Sequence, residues 1–398
     1  MLGERPRSQH EPHVPLRIPG RLGVMERTLV LEIVPGLHQL KTPMPMVGLS
    51  YVMAYVLEGS DGLSLFDSGH GTPEATEAMT AGLQALGYEP KDIRRVLVSH
   101  FHPDHLGMVS WIKEQSPDAK LVMLNEEWRH MSERMPRPGA NGDQPSGGPE
   151  EWMRRSDDWM VKHGISRDEI DEAHKSGNHR PPGMPSSEEM KKRRGKRGGD
   201  GGPRGPFGSM GASMGMEPDV KLEDGEVIEF DGWSFEAVWT PGHTPGHLCL
   251  YERNHRLMFT GDHVLPHITP NVSLHQEHGD GSPLADFQSS LRKVAAYDTA
   301  LALPAHEFSI RDLPARAQGL IAHHDERLDE VRTAIGEVSS SASDISARVH
   351  WNTGPFEEFN IHTKRSALGE TLSHLVVLAD NGRVRQVEDD GVVLWEQA

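Results

Sequence analysis

Chemistry is most concentrated in one hexapeptide, His100-Phe101-His102-Pro103-Asp104-His105. Imidazoles and a carboxylate packed this densely form a borderline-hard donor set. Such a set suits zinc, with iron or manganese as the other metals it fits. His100 and His102 stand two apart in an extended turn and can point the same way. Asp104 and His105 come after the turn and can serve a second ion. Donors of the same kind recur in Thr240-Pro241-Gly242-His243, Thr260-Gly261-Asp262 and Pro304-Ala305-His306. Each follows an apolar run, as the hexapeptide follows residues 93–99. In α/β folds ligands gather beyond the carboxyl ends of strands. That repeated placement separates these residues from a chance cluster of surface histidines.

The strands that carry such donors must be short. Residues 29–69 are strand-like, with β-formers concentrated at 51–58 and 63–66 and Gly and Asp between them. Residues 73–86 have Ala, Met and Leu at helical spacing behind a Thr-Pro start. Residues 93–99 form a buried strand by length and composition. Strand, helix, strand indicates an α/β layer structure. A helix at 108–115 and a strand at 120–124 follow. Later, 227–230 and 234–239 are two strands joined at Asp231-Gly232, a tight-hairpin signal. Residues 247–252 and 256–260 give another pair. Beyond residue 310 the chain turns helical (314–335, 342–349, 364–378) and closes on two short strands around Asp389-Asp390-Gly391.

Hydrophobic residues make up 36% of the 398, enough for a core only if part of the chain stays outside it. A net charge of −18 disfavours nucleic acid as a partner, because an acidic surface repels phosphates. Cys249 is the sole cysteine, which excludes an intrachain disulfide and fits a cytoplasmic location. No apolar run reaches the roughly 18 residues of a membrane span. Residues 1–24 lack the apolar core of a secretory signal and read as a disordered leader, with Met25 as an alternative start. Residues 176–216 hold a basic run from Lys191 and a glycine-rich tract. Such a composition cannot repay its ordering entropy and reads as a flexible insertion. The helix at 150–163 sets Trp152, Met153, Trp159 and Met160 on one face. That stripe serves either core packing or an apolar substrate wall.

With its donor segments in this order, the chain resembles the metallo-β-lactamase superfamily, whose motif H-x-H-x-D-H is followed by distant His, Asp and His. The resemblance spans about residues 29–310, without the insertion. It implies an α/β fold, the αββα sandwich of two mixed sheets with helices outside and the site at one edge. It also implies roles. His100, His102 and His243 would bind the first metal, Asp104, His105 and His306 the second, and Asp262 would bridge both. Asp67, in Leu65-Phe66-Asp67-Ser68-Gly69, matches the family's early aspartate, which supports the ligands from behind. His247 is read the same way, from its place just past the His243 loop. His263 and His267, close behind Asp262, are read as substrate contacts. Aspartate instead of cysteine at the bridge departs from the zinc β-lactamases proper and resembles the glyoxalase II, lactonase and nuclease branches.

Two such ions, zinc foremost, would lower the pKa of a shared water toward neutrality. The bridging hydroxide would attack a carbonyl or phosphoryl centre, oriented by Asp104, while the metals hold the developing oxyanion. The expected function is a binuclear metal-dependent hydrolase of a small-molecule ester, thioester or lactone. A phosphodiesterase or endoribonuclease of the same fold is the alternative, which the basic run favours. A complete second donor set argues against mononuclear iron chemistry. Residues 25–310 would form the catalytic domain, with the insertion as a lid. In residues 311–398, the helix with His323-His324 and the run Ala367-Leu368-Gly369-Glu370 resemble the winged-helix module that follows some hydrolases of this fold. That segment has no strong basic run and is read as a packing or homodimer module.

Overall fold

The computed structural model describes residues 30–45, 49–134, 149–177, 212–230, 232–276 and 281–398. Strands β1 (Val30–Val34), β2 (Leu37–Pro43), β3 (Tyr51–Gly59), β4 (Gly62–Phe66), β5 (Ile93–Val98), β6 (Lys120–Leu124) and β7 (Val220–Leu222) form one sheet in sequential order. It is antiparallel from β1 to β4 and parallel from β4 to β7. The period-two pattern of β4 sets its faces: Leu63 and Leu65 pack outward under helices and Phe66 packs inward. The second sheet has the order β12-β11-β10-β9-β8. Its strands are β8 (Val227–Phe230), β9 (Trp233–Trp239), β10 (Leu248–Glu252), β11 (Leu257–Gly261) and β12 (Leu301–Pro304). Phe230 pairs with Trp233, so the expected hairpin forms, with Gly232 at φ 87°. Its partner Asp231 lies outside the described residues.

The two sheets pack face to face on aromatic rings. Phe259 meets Tyr55 at 5.2 Å, Phe66 at 5.4 Å and Phe235 at 5.6 Å, all edge-on, the geometry the ring quadrupole favours. Helices α1 (Pro73–Ala85), α2 (Pro103–Leu106), α3 (Val109–Gln115) and α4 (Asn125–Arg134) cover the first sheet. Helices α5 (Pro149–Lys162) and α6 (Arg167–Ser176) come next in the chain, then α7 (Pro283–Ala295) and α8 (Leu313–Ile335) over the second sheet. The result is the αββα arrangement.

After α8 come β13 (Ser340–Ser341), α9 (Ala342–Arg348), α10 (Ile361–Asp380), β14 (Val384–Asp389) and β15 (Val392–Gln397). The strands form a small antiparallel sheet in the order β13-β15-β14. This tail reads in the sequence as separate, yet Trp395, Leu368 and Leu375 share one apolar cluster with Phe287, Met258 and Cys249. Residue 310 marks a change of element type, with apolar packing continuous across it.

The insertion needs a correction. Residues 178–211 and the 1–24 leader lie outside the described residues, but residues 212–216 pack on the body. Ser213 is fully buried, accepts from Ser110 N–H at 2.9 Å and donates to the Gly107 carbonyl at 3.2 Å. Met214 and Met216 lie against the cluster under the first sheet. Sequence reading also leaves α4, α6, α7 and β7 unassigned. Among the described residues no helix is long and apolar enough to cross a membrane.

Candidate metal centre

Every donor segment lies where strands end at the seam between the sheets. Past β5, the Ser99 carbonyl accepts from Leu248 N–H of the second sheet at 2.8 Å. On the other flank, Met53 N–H of β3 donates to the Ala305 carbonyl at 2.7 Å, one residue before His306. These backbone bonds lock the sheet edges together on both sides of the donors.

His100 Nε2 lies 2.9 Å from His102 Nδ1 and 3.2 Å from His243 Nε2, and His102 Nδ1 lies 3.0 Å from His243 Nε2. Ligand atoms of a tetrahedral zinc site stand about 3.3 Å apart, given its bond lengths, so three nitrogens converge at nearly that spacing. Asp262 Oδ2 is 3.7 Å from His243 Nε2 and 3.4 Å from His105 Nε2. One carboxylate thus faces two pockets. In the second, Asp104 Oδ2 is 3.5 Å from His105 Nε2 and 3.3 Å from His306 Nε2, and Asp262 Oδ1 is 3.4 Å from His306 Nε2. The donor atoms of His100, His102, His243 and Asp262 all lie within 4.8 Å of one another, as do those of Asp104, His105, Asp262 and His306. His105 Nε2, His306 Nε2 and Asp262 Oδ1 are buried with no hydrogen-bond partner. Unpaired buried polar atoms are costly. A divalent cation is the partner that satisfies imidazole nitrogen and carboxylate oxygen together, so the residues fit a metal pair.

The far side of each ring is held. His105 Nδ1–H donates to Asp67 Oδ2 at 2.8 Å, His306 Nδ1–H to the Tyr51 carbonyl at 3.1 Å, and His243 Nδ1–H to the Asn271 carbonyl at 2.8 Å. Each bond selects the tautomer that leaves an Nε2 lone pair facing the pocket. Asp67 Oδ1 accepts from Ser99 N–H at 2.8 Å, and Ser99 Oγ donates to Asp67 Oδ2 at 2.9 Å. Ser99 Oγ also lies 2.9 Å from His100 Nδ1. Asp67 holds φ 61°, a conformation that costs a non-glycine residue energy and persists where surroundings enforce it. His247 Nε2 accepts from Asp262 N–H at 3.2 Å, while its Nδ1 lies 2.9 Å from Thr240 Oγ1. It therefore steadies the backbone of the shared aspartate.

The pockets differ electrostatically. Burial, and then neighbouring imidazoles, push His100 well down and His102 down to about 3, and burial lowers His243 as well. These rings are neutral at pH 7 and present lone pairs. In the second pocket burial also opposes charge on His306, but Asp262 and Asp104 outweigh it and hold the ring up at about 10. His105 is likewise raised against burial, by Asp104, Asp67 and Asp262. A cation entering there displaces protons.

Sequence reasoning missed Glu127. It sits in the first turn of α4, buried, where Oε1 accepts from Phe101 N–H at 2.8 Å. Oε2 accepts from Thr244 Oγ1 at 3.0 Å and Gly246 N–H at 2.9 Å. One side chain thus ties the His100–His102 turn to the His243 loop. A Cβ on Gly246 would stand 2.0 Å from Glu127 N, so only glycine allows the approach. Nothing in Asn125-Glu126-Glu127 marks the third residue; only the nearby Gly-His loop hints that something packs closely.

Of the expected substrate contacts, Met160 and His263 need correction, because both are buried. Met160 is 3% exposed, in the core with Ile165 and Ile170. The Trp159 ring lies 5.7 Å from His275, whereas the Trp152 ring packs 5.0 Å from the Arg365 guanidinium and only its carbonyl meets the segment, accepting from Gln276 Nε2 at 3.3 Å. Only Met153 of the four is exposed, because α5 docks on α6 and β15. His263 is fully buried, its ring 5.0 Å from Phe287, away from solvent. His267 is exposed, 3.6 Å from Glu307. A cavity of about 230 Å³ opens beside the His243 loop, but Glu126, Arg129, His130 and Asp286 line it instead of the tryptophans.

The Metallo-beta-lactamase superfamily model matches residues 47–306. An atrochrysone carboxyl ACP thioesterase of Paecilomyces divaricatus is 28% identical over 183 residues, 44% of this chain and 54% of that protein. A lactamase-like protein of Aspergillus niger is 33% identical over 114 residues, 29% of this chain and 33% of its own. The chain thus spans about a third to a half of the length of these curated relatives. A metallo-beta-lactamase family protein of Thermus thermophilus superposes with a TM-score of 0.64 at 24% identity, covering 92% of this chain and all of that one, a likeness of fold. With the superfamily's model matched over most of its length, the chain belongs to the metallo-beta-lactamase superfamily.

Proposed function

We propose that the protein is a metal-dependent hydrolase that holds two divalent ions, zinc foremost, and cleaves a thioester. The observation that carries this reading is the pair of donor sets sharing Asp262. Such ions, when bound, activate water as a nucleophile and polarise the carbonyl under attack. His100, His102 and His243 hold the first pocket with neutral rings, and Asp104, His105 and His306 hold the second. Asp262 spans both, fixed through its backbone by His247. Asp104 is the carboxylate we assign to orient the attacking water and take its proton. Asp67 keeps His105 turned toward the pocket.

Acyl over phosphoryl chemistry is supported by fungal relatives named as ACP thioesterases. The net charge of −18 points the same way, since it repels polyanions. The basic run at Lys191 lies outside the described residues. We read the C-terminal module as a winged helix used for packing. In helix-turn-helix modules the later helix enters the major groove, whereas in α10 Lys364 pairs with Glu169 at 2.6 Å and Gly369 abuts residues 273 and 275.

The test offers one metal-loaded preparation acyl thioesters, lactones, aryl esters, bis-aryl phosphodiesters and RNA side by side, with metal content measured. We expect two ions per chain and thioester turnover that disappears in His100→Ala. RNA or phosphodiester cleavage lost in the same variant, with no acyl turnover, would establish the alternative. At most one tightly held ion in a loaded sample would sink the binuclear site.

A further inference from the structure

We propose that the C-terminal module is a positioning element for the first metal pocket, acting through residues 271–276 on His243. The proposal rests on the reading of His243 as a metal ligand. His243 Nδ1–H is held by the Asn271 carbonyl at 2.8 Å, so the place of Asn271 decides where Nε2 points. Asn271 is held in turn from α10. Ser273 Oγ lies 2.6 Å from Asn271 Oδ1 and 3.1 Å from the Ser366 carbonyl. Leu274 N–H donates to the Gly369 carbonyl at 2.9 Å. The two acceptors on α10 stand three residues apart, on one helix face.

Contact at Gly369 leaves no slack. A Cβ there would lie 2.7 Å from His275 Cε1, 2.9 Å from His275 Nδ1 and 2.9 Å from Ser273 Cβ. Both obstruct it: the His275 ring, which packs on Trp159, and Ser273 Cβ, which is fixed to the segment's backbone. An added methyl therefore pushes the segment off the helix, and with it the carbonyl that orients His243. Farther along, Gln276 Nε2 on the Trp152 carbonyl of α5 pins the same segment. Helices α10 and α5 thus converge on one strip leading to the His243 ring. The ring nitrogens of the second pocket that face away from it are held by Asp67 and Tyr51 instead.

Zinc titration against a competing chelator tests this on the full chain, with Gly369→Ala, Ser273→Ala and the double variant Gly369→Ala/His275→Ala. His243→Ala marks which binding step belongs to the first pocket. We expect both single variants to weaken that step by about 10-fold to 100-fold, as loss of a ligand's supporting partner does. The other step and the urea midpoint stay close to wild type, and the double variant recovers part of the lost affinity. Wild-type affinity for both ions in Gly369→Ala and Ser273→Ala would overturn the proposal. So would an equal loss at both steps together with a lowered midpoint, the mark of general destabilisation. A wild-type chain that never takes up two ions would fail one stage earlier, at the donor sets themselves.

Discussion

Glu127 shows how much of a candidate metal site can rest on a residue outside both donor sets. Its carboxylate answers three donors from two loops, Phe101 N–H, Thr244 Oγ1 and Gly246 N–H. Burial opposes that charge and raises the group to about 7, with the three donors pulling the other way. In Glu127→Ala the donors stay buried with no acceptor, at about 1–3 kcal/mol each. The two ligand-bearing loops then lose their common anchor. We expect a drop of about 10-fold to 100-fold in zinc affinity, read by chelator competition, with partial recovery in Glu127→Gln, which keeps one acceptor oxygen. Undiminished affinity in the alanine variant would show that the loops hold themselves. The convergence of His100, His102, Asp104, His105, His243, Asp262 and His306 in two pockets was legible in the sequence because metal chemistry restricts residue type and strand ends restrict place. Glu127, Asn271 and Tyr51 were not. All three act through or upon backbone groups that nearly any residue type supplies, across tertiary contacts no spacing encodes.

At the scale of elements, legibility follows the strength of the local pattern. β4 and β5 are short runs of β-formers, the β8–β9 hairpin carries a turn signal, and all fall where expected. Short polar α4 and α6 lack a continuous apolar stripe; Ser166 caps α6 by accepting from Glu169 N–H at 3.2 Å, a signal easily lost in charged sequence. Residues 212–216 mislead in a different way. Their glycine and methionine composition resembles the low-complexity tract before them, yet Ser213 enters the interior and bonds both ends of the turn between α2 and α3. Its worth can be measured. Ser213→Ala leaves the Ser110 N–H without that acceptor and the Gly107 carbonyl without that donor. We expect about 1–3 kcal/mol of lost stability in urea denaturation. A change within about 0.5 kcal/mol, the usual range for surface substitutions, would mean that the segment merely rests on the body.

Across the whole molecule, the C-terminal module backs onto the catalytic layers at a buried histidine pair of its own. His324 Nδ1 of α8 lies 3.2 Å from His374 Nε2 of α10, and the Phe287 ring of α7 packs 5.5 Å from His324. His374 Nδ1–H donates to the Glu370 carbonyl at 2.7 Å, which leaves its Nε2 to accept from His324. The arrangement is one of two neutral rings. Burial pushes His324 down to about 2, with His374 adding to the shift, and pushes His374 down to about 4. In the unfolded chain each ring titrates near 6.5. Between pH 6.5 and 4 the unfolded state therefore binds protons that the folded state refuses, so stability falls as pH falls. Each histidine contributes a slope of up to about 1.4 kcal/mol per pH unit. Glu127 opposes this, because its folded carboxyl, at about 7, keeps a proton over much of the same window and gains stability on acidification. Two groups against one leave a net acid-side loss from this set. Urea midpoints of metal-free wild type and His374→Leu at pH 7.5, 6 and 5 separate the terms, since Glu127 is common to both. The variant starts lower at pH 7.5, having lost the acceptor for His324. The gap then narrows on acidification, by about 2 kcal/mol between pH 7.5 and 5 for one histidine removed. Parallel curves would mean that the pair takes up protons while folded, and that the module opens to water there without unfolding.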